Sequence, residues 1–75
     1  PTLDITGIAE DASGGLWLST SVGVFRLDGD VLRHVEGSPE LVQAPLPRAD
    51  GLWLGGRGLV HRRSPTGRWE AMPLP

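Results

Sequence analysis

Two stretches decide the fold: "EDASGGLWLSTSVGVFRL", residues 10–27, and "RADGLWLGGRGLVHRR", residues 48–63. Each writes Gly-Leu-Trp-Leu and follows it with a short apolar run punctuated by glycine. Trp17 and Trp53 stand 36 residues apart. Gly15-Leu16-Trp17-Leu18 aligns with Gly51-Leu52-Trp53-Leu54 without a gap. One residue of slack then sets Gly23-Val24-Phe25-Arg26 against Gly58-Leu59-Val60-His61. Further out, "GDVLRHV" falls opposite "TGRWEAM", and "ITGIAEDASG" finds a weaker counterpart in "LVQAPLPRAD". A period of this length is the mark of solenoids, propellers and arrays.

The runs are strand-like. "LDITGIAE" alternates through Leu3, Ile5 and Ile8, and "LWLSTS", "GVFRL", "VLRHV", "LWLGG" and "GLVH" are all of β length. No segment sustains helical spacing, and seven prolines with eleven glycines oppose a long helix. Residues 39–47, "PELVQAPLP", carry three prolines, which permit only an edge strand or an extended segment.

The turns carry their own chemistry. Asp11 in "EDASGGLW" is placed for an Asx-turn, with Gly14 in the left-handed conformation closing the hairpin loop. Asp28-Gly29 is a two-residue hairpin signal. In "RSPTGRW", Pro65 presets φ and Gly67 supplies a positive φ. Each repeat therefore holds about four strands joined by hairpins. Apolar side chains at successive positions in "LWL" and "VF" leave these strands no wet face. Propeller blades, covered on both faces by their neighbours, meet that condition, whereas a small sandwich or barrel would not be expected to repeat internally. The expected fold is all-β: two consecutive four-stranded antiparallel β-propeller blades, residues 1–38 and 39–75, forming part of a propeller or self-assembling into a closed one.

Composition narrows the rest. A chain of 75 residues and 8.0 kDa is one small unit that buries only about 60% of its unfolded surface. It has no cysteine, so disulfides and thiolate zinc sites are excluded, and two histidines do not make a structural metal site. A partner surface, or more of the same chain, is the remaining source of stability. Net charge is −2, and all seven basic residues are Arg, scattered except for Arg62-Arg63. Without a basic stripe, nucleic acid is not an expected partner. No apolar run reaches membrane-spanning length, and no signal peptide is visible. The start at Pro1 rather than Met points to a processed or excised piece.

"ITGIAEDASGGLWLSTSVGVFRL" resembles the two-component regulator propeller repeat. Ile5, Ile8, Asp11, Gly14, Leu16, Trp17, Leu18, Thr20, Gly23, Val24, Phe25 and Arg26 fall on its pattern. In the second copy Asp50, Gly51, Leu52, Trp53, Leu54, Gly56, Gly58 and Leu59 fit, with prolines in the first strand and a shorter hairpin before the Trp. The resemblance implies a non-catalytic, extracytoplasmic blade segment of a bacterial sensor, periplasmic and membrane-anchored through other parts. It also implies binding of a small molecule or carbohydrate, with no cofactor. Two other readings stand beside it. "ADGLWLGG" is also similar to a blade strand of streptogramin lyases, which would require a catalytic His and acidic metal ligands. A purely structural scaffold is the other.

Residue by residue, structure takes most of the candidates. Asp11, Gly14, Trp17, Gly51 and Trp53 form the repeat signature, with the two tryptophans packing between blades and Asp11 and Asp50 capping turns. Trp69 begins an outer strand. His34 and His61, in different repeats, read as surface or edge-strand residues. Arg62-Arg63 reads as a solvated strand end, with an anion site as the alternative. Strand ends in propellers feed ligand-binding rims, which makes Ser19, Thr20, Ser21 and Arg57 the expected ligand-facing groups. "GGRG" lacks the helix and Lys-Ser/Thr of a phosphate loop. Two blades do not close a ring, which takes about 4–8; further blades, from the same chain or identical copies, are the expected partners.

Overall fold

A computed structural model describes residues 4–73; Leu3 of the first alternating run lies outside them. The described residues form eight strands: β1 (Ile5–Glu10), β2 (Leu16–Thr20), β3 (Gly23–Asp28), β4 (Val31–His34), β5 (Gln43–Arg48), β6 (Gly51–Gly56), β7 (Leu59–Arg63) and β8 (Trp69–Pro73). They build two four-stranded antiparallel meanders, β1-β2-β3-β4 and β5-β6-β7-β8. This is the all-β fold of two propeller-like blades.

The register corrects the alignment read from the sequence. Trp17 pairs with Arg26 and Leu18 with Phe25; Trp53 pairs with Arg62 and Leu54 with His61. The offset therefore stays at 36 through both central strands, and no slack is needed. Arg62, not His61, repeats Arg26. The glycine at 58 misled, because it occupies a turn and not the start of a strand. Arg57 (φ 51°) and Gly58 (φ 76°) are the two central residues of the β6–β7 hairpin, and both adopt the left-handed conformation that such tight turns require.

The length difference between the blades lies in the first hairpin. The hairpin before Trp53 is shorter, as its sequence suggested: Ala49-Asp50 connect Arg48 to Gly51. The first strand of each blade carries a register shift, between Ile5 and Gly7 in β1 and between Gln43 and Leu46 in β5, the latter with Ala44 at φ 56°. The strand with the prolines, β5, is indeed an edge strand. Asp11 accepts from the Ser13 and Gly15 amides at 3.0 and 3.1 Å, and Gly14 lies at φ 89°. The β3–β4 turn is shifted by one residue from the Asp28-Gly29 reading: Asp28 pairs with Val31, leaving Gly29-Asp30 as the loop. Ser64 and Arg68 close the last hairpin around Pro65-Thr66-Gly67.

The core lies between the sheets. Trp17, Val24 and Val35 of the first blade meet Val42, Leu52 and Leu54 of the second, with Trp69 packed against them. Trp17 of β2 and the alternate residues Leu52 and Leu54 of β6 supply this face. The innermost strands, β1 and β5, pack against each other. Their approach explains Gly7: a Cβ there would sit 2.7 Å from Cδ of Pro45 and 3.0 Å from Oγ of Ser19. Thr6 fastens the same seam, donating to the Val42 carbonyl at 2.6 Å and sharing a 2.9 Å hydrogen bond with Ser19.

The outward faces are bare. On the first blade Ile8 and Leu32 are more than half exposed, on the side of Leu18 and Phe25. On the second, Leu46 and Met72 flank an apolar groove over Trp53, Gly55 and Val60.

Candidate functional site

The two blades each carry a staple of Asp, Trp and Arg. In the first, Asp11 accepts the Trp17 indole N–H at 3.0 Å through Oδ2, and the same oxygen accepts from the Arg26 guanidinium. Arg26 lies over the Trp17 ring, 4.7 Å from its centroid, and also pairs with Asp28 at 3.0 Å. The Arg26 guanidinium, then the Ser13 hydroxyl and, less so, the Trp17 indole, hold the Asp11 carboxyl far below its ordinary value of 3.8 against the opposing effect of burial. Arg26 is raised in return, chiefly by Asp11.

The second staple is looser. Trp53 donates to Asp50 at 3.1 Å, and Arg62 lies 5.6 Å from the Trp53 ring. Here Arg62 donates to the Asp50 carbonyl oxygen and not its carboxylate. The Trp53 indole is the first cause of a lowered Asp50 pKa. Both aspartates are thus structural, tying a hairpin to the neighbouring strand through the Trp edge.

The rim residues separate into two groups. Ser19 and Thr20 are buried, which corrects their reading as ligand-facing. Ser19 is bonded to Thr6, and the Thr20 hydroxyl donates to the Gly23 carbonyl at 2.7 Å while accepting from the Val22 amide. Ser21 and Arg57 lie one step farther along their strands. Both line a cleft of about 340 Å³ between the blades, together with Asp4, Thr6, Leu41 and Gln43. Its walls are the start of β1, the end of β2, the approach to β5 and the β6–β7 turn.

This cleft is where backbone strain collects. Leu41, Ala44 and Arg57 have φ of 57°, 56° and 51°, and no other non-glycine among the described residues adopts a positive φ. Leu41 and Arg57 line the cleft, and Ala44 follows Gln43. Side chains rarely hold this conformation without a reason, and such positions cluster at binding sites. An exposed arginine in a turn that favours Asn or Gly is the plainest case. Arg57→Gly should stabilise the chain by about 0.5–1 kcal/mol in urea unfolding, because it relieves a left-handed side-chain residue.

What can the cleft do? It offers a cation, a carboxylate, two hydroxyls and an amide side chain, a set suited to hydrogen-bonding a polar small molecule. Among the described residues no cluster of three or more His, Asp or Glu could hold a metal ion. His34 stands on edge strand β4, with its ring 5.0 Å from Phe25 in an edge contact. His61 is half-buried on β7, an inner strand, which corrects its reading as a surface or edge residue. Trp69 opens the outer strand β8 as read, its indole donating to the Glu36 carbonyl at 3.2 Å. No helix of the described residues is long and apolar enough to cross a membrane.

The sequence reading missed Asp4, Thr6, Leu41 and Gln43. Only Thr6 left a trace, as a polar residue between Ile5 and Gly7 in the first strand. The others come together through the stacking of one blade on the next.

The family model described as "Two component regulator propeller" matches residues 1–22, a span that includes Asp11, Gly14 and Trp17. Over that span the chain is similar to a two-component regulator propeller repeat. No curated protein and no solved structure matches the chain.

Proposed function

We propose that the chain is a two-blade segment of an extracytoplasmic, periplasmic sensor propeller in a bacterial signal-transduction protein. In this reading it binds a polar small molecule or carbohydrate and does no chemistry. The observation that carries it is the strained interblade cleft in which Arg57 and Ser21 meet Asp4, Thr6 and Gln43. The propeller repeat matched over residues 1–22 supplies the regulatory context. Binding, not catalysis, suits a site whose polar groups include no nucleophile–base pair. The bare outward faces are blade-stacking surfaces, covered by further blades from the same polypeptide or from identical copies.

The reading is tested in the full-length protein. A transmembrane segment and a signalling output domain should flank the blades in its reading frame; finding neither would remove the support for a sensor. In that protein Arg57→Gly should abolish ligand-dependent output without lowering blade stability. Output that responds normally in the variant would contradict the assignment of the cleft.

A further inference from the structure

The other rim has a groove of its own, about 680 Å³, between the outer halves of the sheets. It is walled by the start of β2, by β4, by the end of β7 and by the β7–β8 turn. Three guanidinium groups reach it. Arg26 and Arg33 sit opposite each other on β3 and β4, and Arg63 comes from the second blade. Arg26 and Arg63 both address the Trp17 ring, at 4.7 and 5.7 Å from its centroid.

Their charges are not balanced alike. Arg26 is neutralised by Asp11 and Asp28. Among the described residues neither Arg33 nor Arg63 makes an ion pair. Nε of Arg63 is buried without a hydrogen-bond partner, and no other side-chain nitrogen or oxygen of the described residues shares that condition. Glu36 is the one carboxylate on the groove wall, and it is exposed. A buried donor on a charged group is rarely left unmet; a water or an ion normally answers it. The planar fork of a guanidinium matches the oxygens of an oxyanion.

We propose that this groove binds an oxyanion, the carboxylate, sulfate or phosphate group of a small molecule, held by Arg63 and Arg33 beside Trp17. The Arg62-Arg63 pair then has two jobs. Arg62 belongs to the second blade's staple, and Arg63, on the opposite face of β7, turns toward the first blade. The proposal is independent of the sensor reading, since the groove lies on the rim away from Arg57.

Titration of the ¹⁵N-labelled chain with sodium sulfate, and separately with sodium acetate, tests it at ionic strength fixed with sodium chloride. At least one anion should shift the Arg63 Nε–H and Trp17 indole resonances saturably. Sulfate alone points to a tetrahedral group and acetate alone to a planar one; either supports the site. Arg63→Gln should abolish the Trp17 shift. Arg33→Gln, at an exposed strand position that does not endanger the fold, should weaken binding about tenfold through loss of one charged hydrogen bond. No saturable shift with either anion would overturn the proposal and leave a water as the partner of Arg63. Equal binding by the Arg33→Gln variant would overturn the two-arginine site.

Discussion

Trp17→Ala should destabilise the chain by about 3–5 kcal/mol, and the equivalent change at Trp53 by only about 1 kcal/mol in dilute solution. The two residues occupy one position of the repeat, so the sequence gives no reason for a difference. The structure does. Trp17 is 9% exposed, wedged between blades with its indole bonded to Asp11 and two guanidinium groups at its ring. Trp53 has the same local partners, Asp50 and Arg62, but looks out over an uncovered groove. What separates them is the next blade. If another blade covers Trp53, the cost of Trp53→Ala rises with protein concentration or with chain length toward that of Trp17→Ala, because stability then includes association. Urea unfolding of both variants at two concentrations about 100-fold apart measures this. Equal costs in dilute solution would contradict the assignment of the buried and bare faces.

Asp11→Ala should cost about 2–3 kcal/mol and should also flatten the acid limb of stability. Removing the carboxylate strands four kinds of donor at once: the Ser13 and Gly15 amides, the Ser13 hydroxyl, the Trp17 indole and the Arg26 guanidinium. Asp28 keeps part of Arg26's compensation, and the Asp11 side chain is 18% exposed, so the loss stays below that of a fully buried pair. The sign of the pH effect follows from the direction of the shift. The folded pKa lies below the ordinary 3.8, so the unfolded chain binds more protons in the interval between them. Wild-type stability therefore falls as pH drops from about 5, and Asp11→Ala should lose most of that slope. Thermal unfolding between pH 7 and pH 3 reads it directly. Asp50, fully exposed in its looser staple, should contribute little.

The fold was legible wherever chemistry is local. Asp11, Gly14, Pro65 and Gly67 announced their turns, and the repeated Leu-Trp-Leu announced a central strand of each sheet. The prolines of β5 announced an edge strand. The reading slipped where one glycine could serve two purposes. Taking Gly58 as the partner of Gly23 inserted a residue of slack and hid the Trp–Arg spacing of nine, which is the same in both blades. That spacing is the repeat's electrostatic signature, and it was readable in principle.

The site was less legible, for a physical reason. Ser19, Thr20 and Ser21 are consecutive, and alternation along a strand that is just ending decides which of them turn inward. The sequence offers three hydroxyls; the register and the interblade seam consume two of them and leave Ser21. Leu41 and Gln43 reach the cleft only because β5 docks on β1 and β2. Contacts between blades depend on how the sheets stack, and no local pattern encodes that.

The central claim is that these are blades, with faces made to be covered. Light scattering coupled to size exclusion tests it most directly on the chain itself. The account predicts a particle heavier than the 8.0 kDa chain, with closed rings of three or four copies at about 24 or 32 kDa. A monodisperse 8.0 kDa monomer that unfolds cooperatively would contradict it, because the faces bearing Ile8, Leu32, Leu46 and Trp53 would then be stable in water uncovered.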